Sequence, residues 1–132
     1  MTVLDTHIWV WWVNGSPELS PGKKQILTEC QANGLGVCVI SCWEIAKLVE
    51  KGRLSLVVPV EQWIDHALAI RGIRLLPFDP KIAVASTQLP QPFQNDPVDQ
   101  IITATAREMD CPLATDDGKI LAYPHVKLAW PR

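Results

Sequence analysis

The chain has 132 residues, of which 48% are hydrophobic and 20% charged, and a formal net charge of −2. This length suits a single domain, residues 1–132, with its own core. The charge balance excludes an overall basic field, so contact with nucleic acid would need a local patch or bound cations. Neither a secretory leader nor an apolar run near the ~18 residues of a membrane span is found, so we expect a cytoplasmic protein without a membrane partner.

In the first half of the chain, apolar runs of strand length alternate with segments of helical spacing. Turn residues such as Asn14-Gly15 and Asn33-Gly34 end the first two helices. The predicted order is a strand at Met1–Leu4, a helix to Asn14, a helix from Ser20 to Ala32, a strand at Leu35–Ile40, a helix from Ser41 to Gly52, a connector with some strand character at Leu54–Pro59, and a helix at Val60–Arg71.

The second half repeats the alternation and contains the most informative helix, Asn95–Met109. Asp96-Pro97 is typical of an N-cap followed by proline at the first helical position. Asp99 falls in the first turn, beside an apolar face formed by Val98, Ile101, Ile102, Thr105 and Met109. The other predictions are a strand at Ile73–Phe78, a helix from Asp79-Pro80 to Gln88, a loop at Leu89–Asn95, a strand at Pro112–Ala114, a short helix, and a fifth strand at Val126–Trp130.

Buried strands that alternate with helices predict an α/β fold with a mainly parallel sheet of about five strands, covered on both faces. Ligands of such sheets bind beyond the carboxyl ends of the strands. The acidic residues expected at that edge come from distant parts of the chain, and they are Asp5, Glu44, Asp96, Asp99, Asp116 and Asp117.

Several carboxylates in one place repel each other by roughly 3–4 kcal/mol per pair at ~4–5 Å, and they must take up protons or hold a cation. Ligands that are all oxygen suit Mg²⁺ or Mn²⁺. Such an ion polarises a phosphoryl oxygen and activates water, and a second ion could steady the leaving group. The chemistry favoured is hydrolysis of a phosphodiester. The four cysteines lack C-x-x-C spacing, so we expect free, reduced thiols and no zinc site.

Helix capping is the alternative for each acid. Asp5 and Asp96 could cap helices, Ser41-x-x-Glu44 matches a capping box, and Asp116 and Asp117 compete for one N-cap. A non-catalytic binding module with capping acids therefore stays open. A Mg²⁺-dependent phosphatase is a second alternative, although the D-x-D pattern of such enzymes does not match Asp5-Thr6-His7.

Four segments, in this order, resemble PIN-domain proteins, and most closely the VapC-type toxins of toxin–antitoxin pairs. They are L-D-T-H-I-W-V-W-W, S-C-W-E-I-A-K-L, D-P-V-D-Q-I-I-T-A-T-A and L-A-T-D-D-G-K-I. The resemblance runs from Leu4 to Trp130. It implies a three-layer α/β/α fold, a Mg²⁺- or Mn²⁺-dependent endoribonuclease, an antitoxin partner and a homodimer.

The resemblance also implies roles for individual residues. The metal-binding and catalytic acids would be Asp5, Glu44, Asp99 and Asp117, supported by the hydroxyls of Thr6 and Thr115, with Asp96 and Asp116 as further candidates. The family usually has Arg at Gln100 and often a basic residue at Asn95, so this chain departs from the pattern there. The two losses could weaken phosphate contact or alter how a partner is held.

A basic row and six tryptophans complete the sequence predictions. Lys47, Lys51 and Arg53 could guide an RNA backbone, with Lys119 as a second candidate, or could simply form solvated pairs along a helix. His7 is expected to pack or hydrogen-bond beside Asp5. Four tryptophans fit core faces, namely Trp9, Trp12, Trp43 and Trp63, whereas Trp11 lies off its helix's main face and is predicted to contact a second copy or an antitoxin.

Overall fold

The computed structural model describes residues 1–131, and Arg132 lies outside the described part. The apolar runs form a parallel four-stranded sheet in the order β3-β2-β1-β4. The strands are β1 (Thr2–Leu4), β2 (Leu35–Cys38), β3 (Ile73–Leu76) and β4 (Leu113–Ala114). The predicted α/β class with a parallel sheet is therefore confirmed.

Seven α-helices connect or follow the strands in the described chain. Their starts follow local capping chemistry, because Ser20, Asp79 and Asp96 each accept a hydrogen bond from a backbone N–H of the first turn. The helices are α1 (Thr6–Asn14), α2 (Pro21–Cys30), α3 (Val39–Glu50), α4 (Val60–Leu68), α5 (Pro80–Ser86), α6 (Pro97–Glu108) and α7 (Gly118–Leu121), and a 3₁₀ turn (Gln31–Asn33) follows α2.

Two hydrophobic clusters cover the two faces of the sheet. Strand side chains alternate between faces, so Leu4 joins one cluster and its neighbour Val3 joins the other. The first cluster packs α1 and α4 around Trp9 and Trp63, whose rings meet edge to face with centroids 5.2 Å apart. The second packs α6 against the opposite face through residues such as Ile102. This is the layered arrangement expected for a buried parallel sheet.

Some predicted boundaries are wrong. The fifth strand at Val126–Trp130 does not form, and the segment contributes one isolated bridge between Leu113 and Leu128. The Leu54–Pro59 connector has no strand. The second strand ends at Cys38, so α3 begins inside the apolar run Leu35–Ile40, which the sequence predicts to be a strand. A short β-branched run is compatible with either element, and packing decides between them.

Two side chains predicted to be buried are not. Trp43 is 54% exposed, because it lies about 200° around α3 from the buried residues Ser41 and Ile45. Met109 is 43% exposed, since α6 ends one residue before it. All four cysteines are free, as expected. No helix in residues 1–131 has the length and hydrophobicity of a membrane span.

Candidate active site

The sheet topology brings distant acidic residues together. β1 lies between β2 and β4. The chain adds β2 and then β3 on one side of β1, whereas β4 is added on the other side. Asp5 follows β1 directly, and the segment 115–117 follows β4. Crevices at such a switch point are the usual ligand sites of open parallel sheets.

A cavity of about 320 Å³ lies at this edge, and we call it the acid pocket. Five carboxylates from four separate parts of the chain line it, alongside neutral and basic side chains. The acids are Asp5, Glu44, Asp96, Asp99 and Asp117, and their neighbours in the lining include Thr6, His7, Trp11 and Arg53.

Asp5 forms the buried floor of the acid pocket and is 2% exposed. Its Oδ1 accepts a hydrogen bond from the Thr6 N–H at 2.8 Å and so caps α1. Its Oδ2 accepts a second bond from the Thr115 hydroxyl at 2.7 Å. The ring nitrogen Nδ1 of His7 lies 3.6 Å from the same oxygen. Helix capping therefore uses only one of the two carboxylate oxygens of Asp5. The other oxygen is held by Thr115, the residue that follows β4.

Thr115 links the ends of β1 and β4. While its hydroxyl donates to Asp5, it accepts the N–H of Asp117 at 3.0 Å. Its carbonyl oxygen accepts the indole N–H of the buried Trp130 at 3.0 Å. The segment predicted as a fifth strand therefore also holds Thr115 in place, through the indole of Trp130.

The two neighbouring aspartates after β4 point to different places. Asp117 lines the acid pocket, and its Oδ1 also caps α7 through the N–H groups of Lys119 (2.8 Å) and Ile120 (3.3 Å). Asp116 instead forms an ion pair with Lys23 at 2.6 Å. Of the two, the geometry places only Asp117 among the pocket acids, and Asp116 is not brought there.

The start of α6 supplies two acids with different partners. Asp96 accepts the N–H of Asp99 at 3.1 Å, which is the expected N-cap contact. The Asp99 carboxylate accepts from the side-chain amide of Gln94 at 2.5 Å. Gln100 in turn donates to the Gln94 carbonyl at 3.0 Å. Sequence reasoning missed Gln94, because a loop glutamine has no motif that marks it as a partner of an acid five residues away.

The capping-box alternative for Glu44 is wrong. The N-cap position of α3 is Cys38, which makes no side-chain capping bond, and Ser41 lies inside the helix. The Ser41 hydroxyl accepts from the Thr6 hydroxyl at 2.8 Å. Glu44 is half-buried at the acid pocket, so the helix start does not account for its position.

Mutual repulsion dominates the electrostatics of the acid pocket. Burial, followed by the charges of Asp5, Asp96, Asp117 and Glu44, raises the pKa of Asp99 to about 8. Burial likewise raises the pKa of Asp5, and it raises that of Glu44 even against the Thr6 hydroxyl. A cluster of this kind favours either bound protons or a bound cation.

The raised pKa of Asp99 makes the metal-free fold sensitive to pH. A free aspartate titrates at about 3.9, so the folded chain retains a proton at Asp99 that the unfolded chain has lost. The stability from this proton is complete below about pH 4 and is lost as the pH rises through about 8.

The donor set suits a hard divalent cation, because all the pocket acids offer oxygen. Within residues 1–131, no three His, Cys, Asp or Glu side chains already converge on one point in the manner of a formed metal site. The acids share the cavity while their side chains remain spread around its wall. The fit therefore rests on donor chemistry and on the raised pKa of Asp99.

The basic residues divide between the acid pocket and its surroundings. Arg53 lines the acid pocket and an adjoining groove, and Lys51 lines the groove. Lys47 also lines the groove and pairs with Glu50 at 2.9 Å, which is the pairing that the solvated alternative predicts. Lys119 lies at a separate aromatic pocket.

His7 packs beside Asp5 as expected. Its Nε2 accepts the backbone N–H of Asp116 at 3.0 Å, and its ring meets that of Trp11 edge to face at 5.0 Å. Trp11 is half-buried and lines the acid pocket. Its predicted contact with another chain stays a prediction.

The chain matches a known protein family over most of its length. Residues 2–126 match the model of the PIN domain. Ribonuclease VapC22 of Mycobacterium tuberculosis (strain ATCC 25618 / H37Rv) is 32% identical over 123 residues, which cover 93% of this chain and 92% of that protein.

Solved structures show the same fold. VapBC2 from Rickettsia felis, bound to a DNA fragment from its promoter, gives a TM-score of 0.70 at 19% identity and covers 96% of each chain. A toxin–antitoxin complex from Klebsiella pneumoniae gives a TM-score of 0.67 at 22% identity and covers both chains completely. At these identities the likeness is one of fold.

Proposed function

The chain belongs to the PIN-domain family, and from this premise we propose that it is a metal-dependent endoribonuclease and the toxin of a toxin–antitoxin pair. The activity is supported by the relative named as a ribonuclease, which is 32% identical over nearly the whole chain. The pairing is supported by similar folds in VapBC and other toxin–antitoxin complexes.

The observation that carries the proposal is the placement of Glu44 and Asp99. A non-catalytic module with capping acids accounts for Asp5, Asp96 and Asp117, each of which accepts a backbone N–H. It does not account for Glu44, which lies away from the start of α3, or for Asp99, whose carboxylate is held by a side chain. Their convergence costs stability unless a cation is bound, so a ligand-binding role explains it better.

In this proposal Asp5, Glu44, Asp99 and Asp117 hold Mg²⁺ or Mn²⁺. The bound ion supplies Lewis-acid polarisation of the phosphodiester and activation of the attacking water. The chain's own contribution is orientation, since Thr115 and the Thr6 N–H fix Asp5. The cap of α7 fixes Asp117 in the same way. Arg53 also lines the pocket, and its guanidinium is suited to contact a phosphate.

Dependence on a divalent cation is the first test. We expect the purified chain to cleave a single-stranded RNA in Mg²⁺ or Mn²⁺, to lose cleavage in EDTA, and to recover it when the ion is restored in excess. Cleavage products are resolved on a denaturing gel with an end-labelled oligoribonucleotide. Undiminished cleavage in EDTA would contradict the proposed chemistry, as would hydrolysis of a phosphomonoester in preference to RNA.

Gln94 should act as a positioning residue for Asp99. Replacing it in Gln94→Leu removes the donor at 2.5 Å while keeping a side chain of similar size. Partners of metal-binding groups typically contribute about 10- to 100-fold to metal affinity or activity. We therefore expect a loss of that size in apparent Mg²⁺ affinity, measured from the dependence of cleavage rate on Mg²⁺ concentration. A variant with wild-type Mg²⁺ dependence would show that the amide does not position Asp99.

The remaining features of the proposal concern assembly. We propose that residues 1–132 form one PIN domain that pairs with itself and with an antitoxin, and that it acts on RNA in the cytoplasm. The antitoxin partner is proposed because the structural relatives are found in toxin–antitoxin complexes. Trp11, at the edge of the acid pocket, is the residue proposed for such a contact.

A further inference from the structure

An exposed tryptophan lies beside the acid pocket. The indole of Trp43 on α3 is 54% exposed, whereas Trp9, Trp63 and Trp130 are buried in the core. Trp43 precedes Glu44 by one residue and points away from the buried face of the helix. Packing therefore does not explain a large aromatic side chain at this position.

Trp43 lines a groove of about 530 Å³ between α3 and α6, which we call the α3–α6 groove. The α6 wall is apolar and includes Pro97, Val98 and Ile101. The groove is continuous with the acid pocket, because four residues line both cavities, namely Glu44, Leu48, Arg53 and Asp96. A strand cut at the acids could thus extend directly into the groove.

The charges along the α3–α6 groove suit a phosphate backbone. Trp43, Lys47 and Lys51 are spaced at i, i+4 and i+8, so they form one stripe along α3 and its C-cap residue, Lys51. Arg53 follows at the end of the helix and also lines the groove. The contact of Lys47 with Glu50 is a surface pair, which contributes little and can be exchanged for a phosphate.

We infer that the α3–α6 groove binds the unpaired nucleotides next to the cleaved phosphodiester, with a nucleobase stacked on the indole of Trp43 and the backbone held by Lys47, Lys51 and Arg53. This inference rests on the proposed ribonuclease function. Aromatic platforms in basic grooves are the common means of binding single strands, and they require bases that are free to unstack. The groove therefore selects single-stranded over duplex RNA.

The test compares Trp43→Ala and Trp43→Phe with wild type in Mg²⁺, using one oligoribonucleotide as a single strand and as a perfect duplex. Loss of one base–aromatic stack corresponds to about 5- to 150-fold weaker binding. We expect Trp43→Ala to raise the KM for the single strand within this range, with the loss falling on KM rather than kcat. Trp43→Phe retains an aromatic face and should stay near wild type.

A matched control is Phe78→Ala, because Phe78 is an exposed aromatic residue (46%) that does not line the groove. It should leave KM unchanged. Thermal unfolding of each variant checks that it folds, and sedimentation checks its oligomeric state. Wild type and Trp43→Ala are compared at the same protein concentration.

The outcomes separate this inference from the function on which it rests. If wild type fails to cleave RNA in Mg²⁺, both are overturned. If wild type cleaves but Trp43→Ala keeps its KM, or raises it equally for the duplex, only the stacking site is overturned. If Trp43→Ala changes the oligomeric state in step with KM, the groove is an interface between copies and the inference is likewise overturned.

Discussion

Asp99→Asn is expected to reduce RNA cleavage on the order of 10²- to 10³-fold, the scale of losing one electrostatic stabiliser from an active site. Asn keeps the size of the side chain, and its carbonyl oxygen can still accept from Gln94. What it removes is one negative charge from the acid pocket and one anionic ligand. Initial rates on an end-labelled oligoribonucleotide in Mg²⁺ measure the effect.

The same substitution should leave the fold intact, and this separates lost chemistry from lost structure. In EDTA at pH 8, Asp99→Asn should unfold at a higher temperature than wild type, because the repulsion that raises the pKa of Asp99 is gone. Near pH 3 the difference should nearly vanish, since Asp99 is then mostly protonated in both the folded and the unfolded wild-type chain. A variant that loses activity and melts earlier at both pH values would indicate a structural role instead.

Asp79→Asn is the matched control for these comparisons. Asp79 caps α5 by accepting the N–H of Ile82 at 2.9 Å, and it does not line the acid pocket. Asparagine is a comparable N-cap. The control therefore changes the net charge by the same unit and should retain cleavage.

Divalent cations are expected to stabilise the fold strongly. An ion that binds only the folded state adds about 2.7 kcal/mol at a concentration of 100 times its Kd, which corresponds to roughly 10 °C in a chain of this size. The physical reason is that the ion replaces repulsion among the pocket acids by attraction. Differential scanning fluorimetry at increasing Mn²⁺ or Mg²⁺ measures the shift.

The shift in unfolding temperature should depend on the pocket acids alone. Asp79→Asn should show the full increase, whereas Asp5→Asn and Asp99→Asn should show little of it. Equal shifts in all four proteins would mean that the ion binds elsewhere, and an absent shift in wild type would favour the capping-only module.

The fold class and the positions of most pocket acids could be predicted from the sequence, because both depend on local chemistry. Apolar runs and capping residues locate β1, α1 and α6, and parallel pairing then brings the strand ends to one edge. The acids at those ends could therefore be named from their positions, although their roles as metal ligands stay a prediction.

The parts that could not be predicted depend on tertiary packing. The apolar run at 35–40 is compatible both with a strand and with a strand followed by the first turn of a helix. The observed α3 therefore starts before the predicted position, and Ser41 lies inside the helix and not at its N-cap. The exposure of Trp43 has another cause, because its large apolar side chain suggests burial although helical spacing places it about 200° around α3 from Ile45. The contact between Gln94 and Asp99 depends on how a loop folds back onto α6, and no spacing in the sequence encodes it.

The measurement that tests the account most directly is calorimetric titration of Mn²⁺ into the chelator-treated chain, with Asp99→Asn and Asp79→Asn in parallel. The account predicts saturable binding to wild type and Asp79→Asn, at least about ten-fold weaker binding to Asp99→Asn, and tightening from pH 6 to pH 9 as the ion no longer competes with a proton on Asp99. Absence of saturable binding to wild type, or binding that Asp99→Asn leaves unchanged, would contradict it.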